Sequence, residues 1–210
     1  MSTTHEPTKL RLGRIGDPAT RHDATPKVTG EFAYSSDLSA AGMLWGVTVR
    51  SPHAHARIVS LDVSEALAMA GVHAVLTHAD VPGQKTYGLE FADQPVLAAD
   101  RVRYYGEPMA LVAAEEPEQA RRAAAAVRVE YELLEPVVDM ERATEQPPLH
   151  PERPTMAHGY REDDRSNVVR HMVIRHGEPE AEGDVSVSGV YEIGIQDQAF
   201  LGPESGLAVP

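Results

Sequence analysis

Cysteine is absent from all 210 residues. That removes disulfides, zinc–thiolate sites, cysteine nucleophiles and cysteine-ligated iron–sulfur clusters from this chain. Basic charge is short: 19 Lys and Arg stand against 32 Asp and Glu, for a net charge of −13. A surface this acidic repels phosphate backbones and anionic lipid, which argues against nucleic acid and membrane partners. No run approaches the roughly 18 to 20 apolar residues needed to span a bilayer. The start, MSTTHEPTKLRLGRIG, lacks the apolar stretch of a signal peptide. These absences lead us to expect a cytoplasmic protein. Phosphate loops are missing too. GRIGDPATRHD offers only Gly13 and Gly16 and follows no strand, so it fails the dinucleotide fingerprint. There is no G-x-x-x-x-G-K-[ST], and without a G-x-S-x-G elbow a hydrolase triad has no specific support.

What remains is an ordinary globular composition, 42% apolar and 24% charged, long enough to bury a core. Residues 1–26, with Pro7, Pro18 and Pro26 and no periodicity, suggest an extended arm. Met43 to Arg50 is β-branched and aromatic, a strand. ARIVSLDV is a second strand after the Ser51–Pro52 turn. A helix capped by Asp62 or Ser64 and stopped by Gly71 follows, then the strand VHAVLT. After the Gly106–Glu107–Pro108 bend comes a strand over Met109 to Ala113. Pro117 then opens a helix whose positive end carries Glu115, Glu116 and Glu118. VRVEYELLEPVVD alternates: Val127, Val129, Tyr131 and Leu133 on one side, Arg128, Glu130 and Glu132 on the other. Two strand–helix–strand units, about 43–76 and 102–138, imply crossover connections in an α+β layer fold. Residues 139–167 are rich in proline and charge and read as a linker. Strand signal resumes at Val168, and the chain stops at Pro210 within an unfinished pattern, as expected of a truncated chain or an excised fragment.

The candidate chemistry is thin. His53 and His55, spaced i and i+2 on extended backbone, could share a metal. A catalytic zinc needs a third ligand, none lies nearby, and the pair therefore reads as locally hydrogen-bonded. His5, His22, His73, His78, His150, His158, His171 and His176 are scattered. Three carboxylate clusters (Glu115/Glu116/Glu118, Glu130/Glu132/Glu135 and Glu162/Asp163/Asp164) fit a helix start, a strand face and a linker. Solvation explains each. QDQAFLGPESGL brings Gln196, Asp197, Gln198 and Glu204 together around Gly202–Pro203. It is either a site at a strand end or a buried turn satisfied by its own amides.

Several stretches, in order, resemble the molybdenum-binding large subunit of the xanthine dehydrogenase/aldehyde oxidase family. They are KVTGEFAYSSDL, MLWGVTVRSPHAHARIVSLD, GV-AVLTHAD-P (without His73 and Val81), PVLAADRVRYYGEPMALVAAEEPEQARRAAAAVRVEYELLEPVVD and YEIGIQDQAFLGPESGLAVP. The ending looks most like xanthine-dehydrogenase-type members. The resemblance implies that 27–138 form an α/β hammerhead domain and that 168–210 begin a molybdopterin-binding domain. It also implies a parent reaction: hydroxylation of a purine, another heterocycle or an aldehyde, with water as the oxygen source. Electrons would pass to iron–sulfur clusters and a flavin on partner subunits or domains. The family's G-G-x-F-G-[GR]-[KR] loop and its catalytic glutamate near the C-terminus are not in these residues. No catalytic, cofactor-binding or metal-binding residue transfers, no cofactor is expected on this chain alone, and it is expected to be inactive by itself. Expected partners are the rest of the molybdenum subunit, the iron–sulfur and flavin subunits and, through unpartnered strands, a second copy. The competing reading is a non-catalytic hammerhead module for subunit docking or assembly.

Overall fold

The computed structural model describes residues 15–16, 21–88, 92–151, 167–168, 174, 176–177, 183–185, 187–194, 196–198 and 204–209. The chain divides into two units, Met1–Ala41 with Val190–Pro210, and Gly42–Gly189.

In the first unit, helix α1 (Ala24–Thr29) ends at Gly30, whose φ of 79° lets its N–H turn back onto the Pro26 carbonyl. Pro26 is tolerated because it lies in the first turn, where its missing N–H has no intrahelical partner to lose. The expected border between arm and domain at residue 27 falls inside this helix, and most of the arm lies outside the described residues. The Lys27 ammonium bonds Asp23 and lies 4.7 Å from the centre of the Phe32 ring, a cation–π contact. Ser205 Oγ donates to Ser35 Oγ at 2.8 Å.

The second unit holds two three-stranded antiparallel sheets. One is built from β1 (Trp45–Arg50), β3 (Val72–Thr77) and β7 (Pro108–Ala114), in the order β1-β7-β3. The other is built from β2 (Ala56–Asp62), β6 (Arg101–Val102) and β8 (Arg128–Leu133), in the order β6-β2-β8. A two-residue pair, β4 (Thr86–Tyr87) with β5 (Gln94–Pro95), completes the strands among the described residues. The helices are α2 (Ser64–Leu67) and α3 (Pro117–Ala126).

The crossover expectation is corrected by this topology. Every pairing in both sheets is antiparallel. The β2–α2–β3 and β7–α3–β8 units each start in one sheet and end in the other. A helix between two strands guarantees a parallel pair only when both strands join the same sheet. Here each helix carries the chain from sheet to sheet.

The central strand β7 explains the packing. Ala110 and Val112 join Ala66, Val75 and Ala123 in one apolar cluster, while Met109 joins Ala56, Ala98 and Val102 in another. Val49 touches both clusters. Burying a side chain such as Val or Met contributes about 1.5–3 kcal/mol. α3 follows from its sequence: Pro117 starts it, Gln119 accepts the Glu116 N–H at 3.1 Å, and Ala120 and Ala123 are fully buried. Small side chains on that face bring the helix close to the sheet.

Within the expected linker, residues 139–151 carry local structure. A 3-10 turn spans Arg142–Glu145, and Asn167 hydrogen-bonds back onto the segment. The strands expected from Val168 onward are not formed by the described residues, which include exposed Val185, Val187, Val190, Tyr191 and Ile193. A strand needs a ladder partner for its N–H and C=O groups, and no described residue supplies one there.

Candidate functional site

The paired histidines are held by local contacts. The Ser51 hydroxyl accepts the His53 N–H at 3.0 Å and donates to the His53 carbonyl at 2.9 Å. The His53 ring meets Tyr131 edge-on at 4.7 Å. His55 Nδ1 lies 2.8 Å from the Glu135 carbonyl oxygen. β2 begins only at Ala56, so the pair precedes the strand that was to align it. Among the described residues no three His, Cys, Asp or Glu side chains gather as a metal site.

The other candidates disperse. His73 Nε2 is 3.1 Å from Glu115 Oε1, and His78 Nδ1 is 3.0 Å from the Leu97 carbonyl oxygen. Glu118 pairs with Arg121 and Arg122 on α3, each at 3.1 Å. Glu130 accepts from Ser60 at 2.9 Å, and Glu132 pairs with Arg57 at 2.9 Å across the sheet. Both belong to cross-strand neighbours, as the alternating pattern requires. His5, His158, His171, Glu162, Asp163, Asp164, Gly202 and Pro203 lie outside the described residues. Gln196, Asp197, Gln198 and Glu204 are exposed, and residues 199–203 of QDQAFLGPESGL lie outside the described residues. The Asp197 carboxylate accepts the Gln198 N–H at 2.8 Å.

Two features went unnoticed in the sequence. The first is a groove of about 360 Å³ on the face of β1-β7-β3 that turns away from the helices. Leu76, Leu111, Val96 and Leu97 line it, with Arg50 and Asp80 as its charged residues. Arg50 Nη1 donates to the Gly106 carbonyl at 2.9 Å. Hydrogen bonds from the Thr77 N–H and hydroxyl hold the Asp80 carboxyl below the usual carboxylate range.

The second is Glu107, 1% exposed and directly before β7. Its carbonyl accepts the Ser51 N–H at 3.0 Å, and the Ser51 carbonyl accepts the Gly106 N–H at 2.9 Å. Its carboxylate accepts the Arg103 N–H on one oxygen, while Oε1 is buried with no hydrogen-bond partner. Desolvation pushes this carboxyl above the usual range, against the opposing N–H bonds and the charges of Arg103 and His150. The sequence signal was its position between Gly106 and Pro108, directly before an apolar strand.

The family model for the a/b hammerhead domain of aldehyde oxidase and xanthine dehydrogenase matches residues 29–135, about half of the chain. The chain belongs to this family. A probable xanthine dehydrogenase subunit of Bacillus subtilis is 40% identical over 194 residues, covering 90% of this chain and 24% of that protein. The nicotinate dehydrogenase large molybdopterin subunit of Eubacterium barkeri is 35% identical over 197 residues, covering 92% of this chain and 44% of that protein. The solved aldehyde oxidoreductase of Desulfovibrio gigas superposes with a TM-score of 0.55 at 37% identity, over 59% of this chain and 15% of that one. The chain thus spans less than half of the length of these relatives.

A molybdopterin carries an anionic phosphate and calls for a cradle of N–H donors. The groove on β1-β7-β3 does not fit it. The groove is lined largely by aliphatic side chains, Arg50 is directed at a backbone carbonyl, and Asp80 adds negative charge. Among the described residues no helix is long and apolar enough to cross a membrane.

Proposed function

We propose that this chain is the N-terminal portion of a molybdenum hydroxylase large subunit, xanthine-dehydrogenase-like. The parent enzyme hydroxylates a purine, a related heterocycle or an aldehyde, taking the oxygen from water. In this reading residues 27–138 are the hammerhead scaffold, 139–167 connect it onward, and 168–210 open the molybdopterin-binding domain. Molybdopterin is then held by the remainder of the subunit. The iron–sulfur clusters and flavin belong to partner subunits or domains, and these 210 residues hold no cysteine to ligate a cluster. The enzyme works in the cytoplasm.

The observation that carries the proposal is the hammerhead match combined with 40% identity to a subunit about four times as long. The exposed apolar residues Val185, Val187, Val190 and Ile193 fit strands awaiting the rest of their domain. The test is the reading frame downstream of codon 210. Sequence encoding a G-G-x-F-G-[GR]-[KR] loop is expected, in frame or shifted. Its absence from all three frames over the next 600 or so codons, the span implied by the relatives' extra length, contradicts the proposal.

A further inference from the structure

Residues 141–150 are tied down at two places. Asn167 gathers the segment: its Oδ1 accepts the Leu149 N–H at 2.8 Å, and its Nδ2 donates to the carbonyls of Ala143 at 2.8 Å and Pro147 at 3.1 Å. Arg103, in the turn between β6 and β7, donates its Nε–H to the Leu149 carbonyl at 2.9 Å. That turn encloses Glu107, whose carboxylate accepts the Arg103 backbone N–H. We propose that residues 141–150 form a strap seated on the β6–β7 turn and that the enclosed Glu107 carboxyl is its proton-linked latch. The strap holds more tightly when that carboxyl is neutral than when it is charged.

The physical reasoning is a comparison of the two states. With the strap in place Glu107 is 1% exposed and its Oε1 has no hydrogen-bond partner. A carboxylate in that position lacks the water it would have if the strap lifted. A neutral carboxyl loses far less on burial. The titratable and charged groups that act with it are Arg103 and the Tyr104 phenol on its own turn and His150 on the strap, while Arg50 on β1 bonds the adjacent Gly106 carbonyl. The Arg103 backbone N–H also bonds the carboxylate. Arg103, His150 and that bond favour the charged form, yet desolvation is the largest influence and the net direction is upward. A carboxyl raised in the seated state favours that state fully below its free value. The advantage is lost as pH rises through the raised value.

The experiment is amide hydrogen exchange of the 210-residue chain, corrected for intrinsic rates, between pH 4.5 and 7.5. In the wild type, opening of 142–150 should grow with pH, by at most about tenfold per pH unit. Glu107→Gln keeps an acceptor for the Arg103 N–H and removes the charge, so its strap should stay protected with no such slope. Both slopes are read in a His150→Gln background, because the His150 charge acts on the Glu107 carboxylate and would otherwise add a slope of its own to one protein only. Equal slopes in the two proteins, or a flat wild type, overturn the latch. Asn167→Ala is the second variant: it should lose protection over 142–150 while β7 amides stay protected. Retained protection over 142–150 in that variant overturns the strap.

Discussion

At the scale of single residues, the fold depends on a few positions with no slack. Gly71 has a φ of +80°, and a Cβ there would meet the Gln119 amide at 2.5 Å. Gly71→Ala forces a side chain into a left-handed conformation, costing about 1–2 kcal/mol, and also displaces the residue that caps α3. Urea unfolding should show a lower midpoint with an unchanged slope. Met109, 1% exposed, fills the cluster around Ala56 and Val102 and receives the Tyr131 hydroxyl at 3.2 Å. Met109→Ala should destabilise by about 2–5 kcal/mol, as large-to-small core changes do. His53→Ala should cost only the edge-on ring contact with Tyr131, about 0.5–1.5 kcal/mol. It should leave zinc uptake, measured by calorimetry, unchanged. A zinc stoichiometry that falls on this substitution would revive the metal reading of the histidine pair.

At the scale of elements, what was legible was local. The strand at 108–114, the helix opened by Pro117 and the alternation of 128–133 all follow from neighbouring residues, and each forms. Pairing was not legible. Nothing within β2–α2–β3 records that its strands join different sheets, because that choice depends on which partner each strand meets. Glu107 was hidden for the same reason. Its surroundings come from Ser51, 56 positions earlier, which bonds its backbone, and from Arg103, which reaches on to Leu149. The i, i+2 spacing of His53 and His55 suggested convergence, but the chain there is a bend ahead of the strand and the rings go to separate partners. The cap of α3 offers a test at this scale. Gln119→Ala removes the acceptor of the Glu116 N–H and should cost about 0.5–2 kcal/mol. Thermal unfolding should show a lower Tm, and fraying of α3 should appear in exchange at 117–120 before the β7 amides respond.

At the scale of the whole molecule, the hammerhead is built, while the strand-like sequence after it forms no strand among the described residues. Val185, Val187, Val190, Tyr191 and Ile193 are each at least 82% exposed. Apolar surface of this kind promotes association. Sedimentation should therefore show self-association that rises with concentration and weakens in Val187→Lys; a monomer at all concentrations contradicts this. The family membership places the hammerhead among proteins several times longer, and the described groove is suited to aliphatic contact rather than to an anionic cofactor. In the proposed reading, this chain supports a molybdenum site without supplying one. The most direct test is the molybdenum content of the purified 210-residue chain, made in cells that assemble the cofactor, together with hypoxanthine turnover. Molybdenum far below one atom per chain and no turnover are the expected results. Stoichiometric molybdenum with turnover would contradict that reading.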